Sequence, residues 1–408
     1  MKFSKLRQLL LVSAIGLVVA ALFSGCQLVT IDYLFVATGA SNIPGSSTTC
    51  PAGEIETFAV DSESGAIRTA KPQVCSGGTA PSFLAISPGY QNLYVANKVD
   101  MNIVHFAVAD NGVLTKKESV TLPTVPVAMA VSSDGNTLYV ISGTTTATLT
   151  AYSLSSGALG SPANEVNLTI PGYTSDSVVP TGIAVLANGN AVYVTAYDLS
   201  SYNPGGVTTS TVSPGWLFGF ATGSGGALTA TPGSPYNAGV KPSALVADPT
   251  NRFIYVTDFA SNQLIGYGVY TGYTLHFLVN GPFKTGGQPT SIAVDPRGKF
   301  LYVSDSLDNA VTAYVIDLTT GTPSTAINST GSQSNSTDTQ PVSVAVDPAL
   351  GRFVYTANFL GNSISGFQLD PIAGTLKPTQ TTPYPTGVHP TSVVLVPHGN
   401  HSIQTVTP

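Results

Sequence analysis

The sequence predicts an all-β chain. The expected fold is a seven-bladed β-propeller of four-stranded antiparallel blades, its ring closed by the C-terminal strand pairing into blade 1. Three observations carry this expectation. A Tyr-Val strand recurs seven times, a Pro-led strand recurs upstream of it at a spacing near 50 residues, and the composition is rich in turn formers. A period of that size with short strands is the signature of one blade per repeat. The 408 residues include 41 Gly and 29 Pro, and only 9% are charged, against roughly 25% in ordinary globular proteins. Hydroxyls and turn backbone, rather than Lys and Glu, must therefore cover the surface.

The chain opens with a targeting pattern. Lys2, Lys5 and Arg7 precede an apolar run from Leu9 to Phe23, followed by Ser24, Gly25 and Cys26. A basic segment, an apolar segment and small residues before a cleavage point read as a signal peptide over residues 1–25. Cys26 after Ser24-Gly25 resembles the lipobox of bacterial lipoproteins, although Phe23 stands where an aliphatic residue is usual. That resemblance implies an acylated Cys26, a tether over 26–30 and a membrane partner through the lipid. The mature chain is then extracytoplasmic, and Gln27 favours the outer membrane by analogy with enteric bacteria. No later run is apolar enough to span a bilayer. The formal charge is −6 with no basic cluster beyond the N-terminus, which disfavours nucleic-acid binding.

The propeller is expected over 31–397. Its Tyr-Val strands read LFVAT (34–38), LYVAN (93–97), LYVIS (138–142), VYVTA (192–196), IYVTD (254–258), LYVSD (301–305) and VYTAN (354–358). The Pro-led strands start at Pro81, Pro126, Pro180, Pro242, Pro289, Pro341 and Pro390, stepping by 45, 54, 62, 47, 52 and 49 residues. Pro fits there because its missing N–H falls at a strand start. After the Tyr-Val strand come an Asp/Asn turn, a third strand such as AVTAYVID, a Gly turn and a weaker fourth strand. The two series are out of phase at the ends. The first repeat lacks its inner strand, and the last Pro-led strand lacks a blade. Placing 390–397 beside 33–38 closes the ring and removes two open sheet edges. Residues 398–408, with His398 and His401, are expected as a polar tail. His105, within a third strand, is expected to be packed or hydrogen-bonded.

The Asp/Asn turns share a four-residue spacing at Asp258–Asn262, Asp305–Asn309 and Asn358–Asn362. Asp and Asn hydrogen-bond nearby backbone N–H groups and tolerate tight turns, so these are hairpin devices first. Cys50 falls in the long second-to-third-strand loop of blade 1. Cys75 falls after that blade's fourth strand. Both lie on one face, because strands alternate direction, and a disulfide is expected in an oxidising envelope.

The repeats resemble the YVTN-type surface propellers and the seven-bladed lactonase family, which includes 6-phosphogluconolactonases. There a unit reads roughly Pro-x-x-Ile-Ala-Val-x-Pro-x-Gly-x-x-Leu-Tyr-Val. The resemblance spans about 31–397 and implies the fold and a lactonase-like site. Family lactonases carry an Arg-His pair on an inner strand and a Glu after a Leu-Tyr-Val strand. Here Val388 rather than Arg precedes His389-Pro390, and no Glu follows a Tyr-Val strand. A lactone hydrolase needs a general base and a donor for the oxyanion, and neither stands in the family's place. The expectation is therefore a monomeric envelope lipoprotein that binds a protein, peptide or carbohydrate ligand, with lactone hydrolysis as the alternative. No cofactor and no metal are expected.

Inner strands begin, and Tyr-Val strands end, on one face of the ring. That channel mouth is lopsided. Blades 5 to 7 and the closing strand present Lys241, Asp258, Gln288, Asp305, Gln340, Asn358 and His389, whereas blades 2 to 4 present mostly small or apolar groups. These seven are the expected ligand-binding residues. The blade-4 insertion over 197–216 adds Tyr197, Tyr202 and Trp216, which are suited to stacking on a sugar or clamping a peptide.

Overall fold

A computed structural model describes residues 29–39, 50, 52–170, 177–201, 214–328 and 330–408. The expected lipid site at Cys26 and the loop aromatic Tyr202 lie outside the described residues. Seven antiparallel sheets form the ring. Blade 1 closes as the phase of the repeats requires. Strand Thr30–Thr38 pairs on one side with Glu54–Asp61 and on the other with Ser392–Pro397, in a register running from Asp32↔Pro397 to Ala37↔Ser392. Each second strand therefore runs from the far face, where Thr30 sits, to the mouth, where Thr38 sits.

The fourth strands differ from the expectation in four of the seven blades. Blades 1 to 3 have one continuous outer strand, but in blades 4 to 7 it breaks into two short pieces pairing with the same third strand. In three of these breaks a proline, Pro235, Pro282 or Pro383, lies just before the second piece. A residue without an N–H cannot continue a ladder.

The Tyr of the Tyr-Val strand explains why that residue recurs. Tyr94, Tyr193, Tyr255, Tyr302 and Tyr355 are fully buried. Each phenol donates to a backbone carbonyl in the next blade: Tyr94 to Gly157 at 2.7 Å, Tyr193 to Tyr273 at 2.7 Å, Tyr255 to Gly321 at 2.7 Å, Tyr302 to Gly374 at 2.9 Å and Tyr355 to Gly65 at 2.6 Å. Tyr supplies apolar area for the interblade core and an O–H long enough to reach across it. Phe would fill the same space and leave a buried carbonyl without its donor, at about 1–3 kcal/mol. Burial pushes the phenols of Tyr94, Tyr193 and Tyr255 well above their usual range, so they remain donors.

Cys50 and Cys75 form a disulfide with Cα atoms 5.1 Å apart, closing a separation of 25 residues. Chain-entropy arguments give such a loop about 3 kcal/mol. Cys75 ends the fourth strand Ile67–Cys75 rather than lying beyond it. His105 is packed as expected, with Nδ1 2.9 Å from Glu118 and Nε2 2.8 Å from Asn92. The C-terminal segment departs from the expected polar tail. Gly399–Ile403 forms a 3-10 helix, and His401 is buried. The reason is an acidic pocket formed by Asp32 and Asp347, which the polarity of the tail does not reveal.

Candidate functional site

The seven inner strands line a central channel containing a cavity of about 470 Å³. Its hydroxyls are largely committed to holding blades together. The residue after the inner-strand Pro reaches the next blade's Pro carbonyl: Ser243 to Pro289 at 2.6 Å, Thr290 to Pro341 at 2.9 Å and Thr391 to Pro81 at 2.8 Å. One residue further on, Ser291, Ser343 and Ser392 accept the N–H groups of Val344, Val393 and Leu84. The wall is thus apolar surface crossed by occupied hydroxyls. Free polar chemistry has to come from the mouth.

At the mouth, the residue before the inner-strand Pro is strained in four blades. Ala80, Gln288, Gln340 and His389 have φ of 57°, 54°, 59° and 52°. Positive φ is uncommon outside Gly, and a residue before Pro is pushed toward extended conformations. Neighbouring side chains hold three of these residues in place. Asn262 Oδ1 accepts the Gln288 N–H at 2.7 Å, Asn309 that of Gln340 at 2.8 Å and Asn362 that of His389 at 2.8 Å. The Asn that ends each Asp/Asn turn is therefore a clamp onto the following blade. The strain displays Gln288, Gln340 and His389 at the rim, the first two half-buried and the third exposed. Such strain persists only where the surroundings over-determine it.

The structure divides the seven expected mouth residues into two groups. Asp258, Asp305 and Asn358 are fully buried beneath the straps that lead to the inner strands. Asp258 accepts the N–H groups of Val240 at 2.8 Å and Lys241 at 2.9 Å, and the Gln263 amide at 3.0 Å. Asn358 donates to Ser363 at 3.1 Å and Ser365 at 3.0 Å. Asp305 accepts from Thr312 at 2.5 Å, while its Oδ1 has no hydrogen-bond partner. Burial pushes its carboxyl up to about 7, with the Thr312 bond pulling the other way. Lys241, Gln288, Gln340 and His389 reach the surface. Lys241 Nζ lies 4.8 Å from the ring centroid of Phe259 and 5.6 Å from that of Tyr197, within range of cation–π attraction. His389 stacks on Phe359 with centroids 4.5 Å apart and planes at 12°. Of the loop aromatics, Tyr197 is buried with its ring near Lys241, and Trp216 is half-buried on strand Gly215–Thr222.

Glu54 and Glu56 went unremarked in the sequence. They lie on the third strand of blade 1 at the mouth end, 0% and 5% exposed. Residues two apart on a strand share a face, and these two face the strap at Gly387. The Gly387 N–H donates to Glu56 at 2.5 Å, and Thr38 donates to Glu54 at 3.4 Å. Burial, reinforced by Glu54, pushes Glu56 up to about 7 against the Gly387 bond. A Cβ at Gly387 would come within 2.9 Å of both carboxylates, so a larger residue there would have to displace the buried acids. The signal was the alternation in Glu54-Ile55-Glu56, which reads equally as a solvated edge. Of the expected mouth residues, the accessible ones supply one cation on aromatic faces, two amides and one imidazole; Asp100 and Asp308 on the neighbouring turns each accept a strap N–H. The acids with raised pKa lie behind the rim.

A family model described as a seven-bladed β-propeller lactonase matches residues 43–177 and 102–403. No curated protein matches the chain. Among solved structures, the chain is similar to the periplasmic gluconolactonase of Pseudomonas aeruginosa, at 19% identity and a TM-score of 0.68, covering 89% of this chain and 99% of that one. A proposed 6-phosphogluconolactonase from Bacteroides fragilis matches at 18% identity and 0.67, covering 91% and 99%. A protein from Lactobacillus plantarum matches at 18% and 0.68, covering 90% and 99%. At these identities the likeness speaks to fold.

Proposed function

The chain belongs to the lactonase family of seven-bladed β-propellers, and from that premise we propose that it is a cell-envelope lipoprotein, anchored at Cys26, whose mouth binds a small hydroxylated anion of the sugar-acid class. The observation that carries this reading is the split among the mouth residues. The accessible groups, Lys241, Gln288, Gln340 and His389, are a cation, two amides and an imidazole, all four set by clamped backbone or aromatic faces. Such a rim suits a carboxylate with neighbouring hydroxyls. The carboxyls suited to proton transfer, Asp305 and Glu56, are buried under straps.

A second reading, lactone hydrolysis, is favoured by those same two carboxyls near 7, since a general base works best near the ambient pH. The name of the Pseudomonas relative points the same way. Calorimetric titration with gluconate and 6-phosphogluconate, alongside a pH-stat assay with the corresponding δ-lactones, separates the two. Binding is expected, weakened roughly ten- to a hundredfold by Lys241→Ala combined with His389→Ala, the range for one or two charge-assisted hydrogen bonds. Lactone turnover that disappears in Glu56→Gln or Asp305→Asn would replace the binding reading with the hydrolytic one. Undiminished binding by the double variant would move the site off the rim.

A further inference from the structure

On the face opposite the mouth, three segments distant in sequence bring Asp32, Asp347 and His401 together, all buried. Asp32 lies near the start of the second strand of blade 1, Thr30–Thr38. Asp347 follows the inner strand Pro341–Val346 of blade 7. His401 lies on the 3-10 helix Gly399–Ile403. His401 Nε2 is 3.0 Å from Asp347 Oδ1 and 3.5 Å from Asp32 Oδ1. We propose that these three side chains bind a divalent first-row transition ion of the zinc class, which pins the C-terminal helix across the seam between blades 7 and 1.

Four observations support the assignment. First, Asp32 is 0% exposed, and neither carboxylate oxygen has a hydrogen-bond partner. A buried carboxylate is costly unless paired or bound to a metal. Second, the spacing fits. A tetrahedral ion with ligands at roughly 2.0–2.1 Å has ligand–ligand edges of about 3.3–3.4 Å, and the two distances from Nε2 bracket that value. Third, an outer-shell partner is in place. His401 Nδ1 lies 3.0 Å from Gln404 Oε1, so Nδ1–H can donate there. Nε2, which shares a proton with Asp347 when no ion is bound, then faces the carboxylates as the ligand atom, the outer-shell arrangement of metal-bound His.

The fourth observation comes from comparing the repeats. Asp248 and Asp295 hold the place of Asp347 in blades 5 and 6. They satisfy their own turns, accepting Arg252 and Phe253 N–H groups in one and Lys299 and Phe300 N–H groups in the other. Asp347 does the same with the N–H groups of Ala349 and Arg352, so the unexplained acid is Asp32. By register, Asp32 stands in blade 1 where those blades have Arg252 and Lys299 and blade 7 has Arg352, and Val396 stands where they have Asp. The turn has no use for an acid at 32. Two carboxylates, a neutral imidazole and a divalent ion sum to zero charge in a buried pocket.

The test uses the full-length protein purified in detergent without added chelator. Elemental analysis is expected to find close to one equivalent of a divalent transition ion. After chelation, cobalt(II) should restore one equivalent and give the intense visible bands of a tetrahedral N/O site. These bands should be absent in His401→Gln and in Asp32→Asn. Chelator should lower the thermal midpoint of the wild type and leave that of His401→Gln unchanged. The wild-type measurements stand even where a variant fails to fold. Folded wild-type protein that holds no ion, shows no cobalt spectrum and melts identically with and without chelator would overturn the proposal. Loading by calcium alone would overturn it equally, because a hard cation does not need the imidazole.

Discussion

A single carboxyl can set a pH response, and Asp305 is placed to do so. It is fully buried with a value near 7, against an ordinary 3.8. Below about pH 4 it is protonated in both folded and unfolded chains. Between about 4 and 7 the unfolded chain ionises while the folded chain keeps its proton, so stability falls as pH rises, by at most about 1.4 kcal/mol per unit. Above about 7 this loss is complete. Glu56 adds a slope of the same sign. Asp305→Asn keeps the neutral shape and removes one of the two slopes. Urea midpoints should then show the variant gaining roughly 2 kcal/mol on the wild type between pH 5 and pH 8. An identical pH response in both proteins would place the ionisation of Asp305 outside that window. Individual residues of this kind were only half legible. The sequence puts Asp305 at the mouth end of its strand, and the strand does end there. Whether its carboxylate meets solvent or the underside of a strap depends on Gly286, whose missing Cβ lets the backbone lie against it.

Among the elements, the Asp/Asn turn carries a second role. Its terminal Asn has a φ of 52° at Asn262, 51° at Asn309 and 51° at Asn362, and it accepts a backbone N–H from the following blade. Two variants separate these contributions. Asn309→Gly keeps the backbone shape and loses the acceptor, leaving the Gln340 N–H without it, at about 1 kcal/mol. Asn309→Ala also forces a Cβ into left-handed backbone and should cost about 1 kcal/mol more. Equal denaturation midpoints for the two variants would show that conformation contributes nothing there. The turn itself was readable, because Asp and Asn at fixed spacing are a local signal. The clamp was not, because it depends on how one blade sits against the next. The split outer strands of blades 4 to 7 escaped for a related reason, since short edge pieces carry too few residues to show alternation. The C-terminal helix follows the last strand of the repeat pattern, so the repeat could not expose His401.

For the molecule as a whole, the ring depends on the last inner strand. Six residues, Ser392–Pro397, pair with Thr30–Thr38, and Thr391 and Ser392 stitch that strand to blade 2. Deleting residues 389–408 removes both connections and leaves sheet edges open on either side of the gap, which favours association between chains. The expected result is aggregation or loss of a cooperative melt. A soluble truncation with the wild-type melting temperature would show that the ring does not need its closing strand. Closure was legible because the two repeat series are out of phase at the ends, a property of the whole chain that no single blade contains. The direction of the strand it closes upon has a further consequence. Strand Thr30–Thr38 starts at the far face and ends at the mouth. With the acyl anchor proposed at Cys26, four residues upstream, even a fully extended connection reaches only about 14 Å. On that proposal the propeller would sit with the His401 side down against the lipid headgroups and its rim turned outward. A ligand would approach along the bilayer normal from the aqueous side, and one still embedded in the same leaflet would be on the wrong side of the disc.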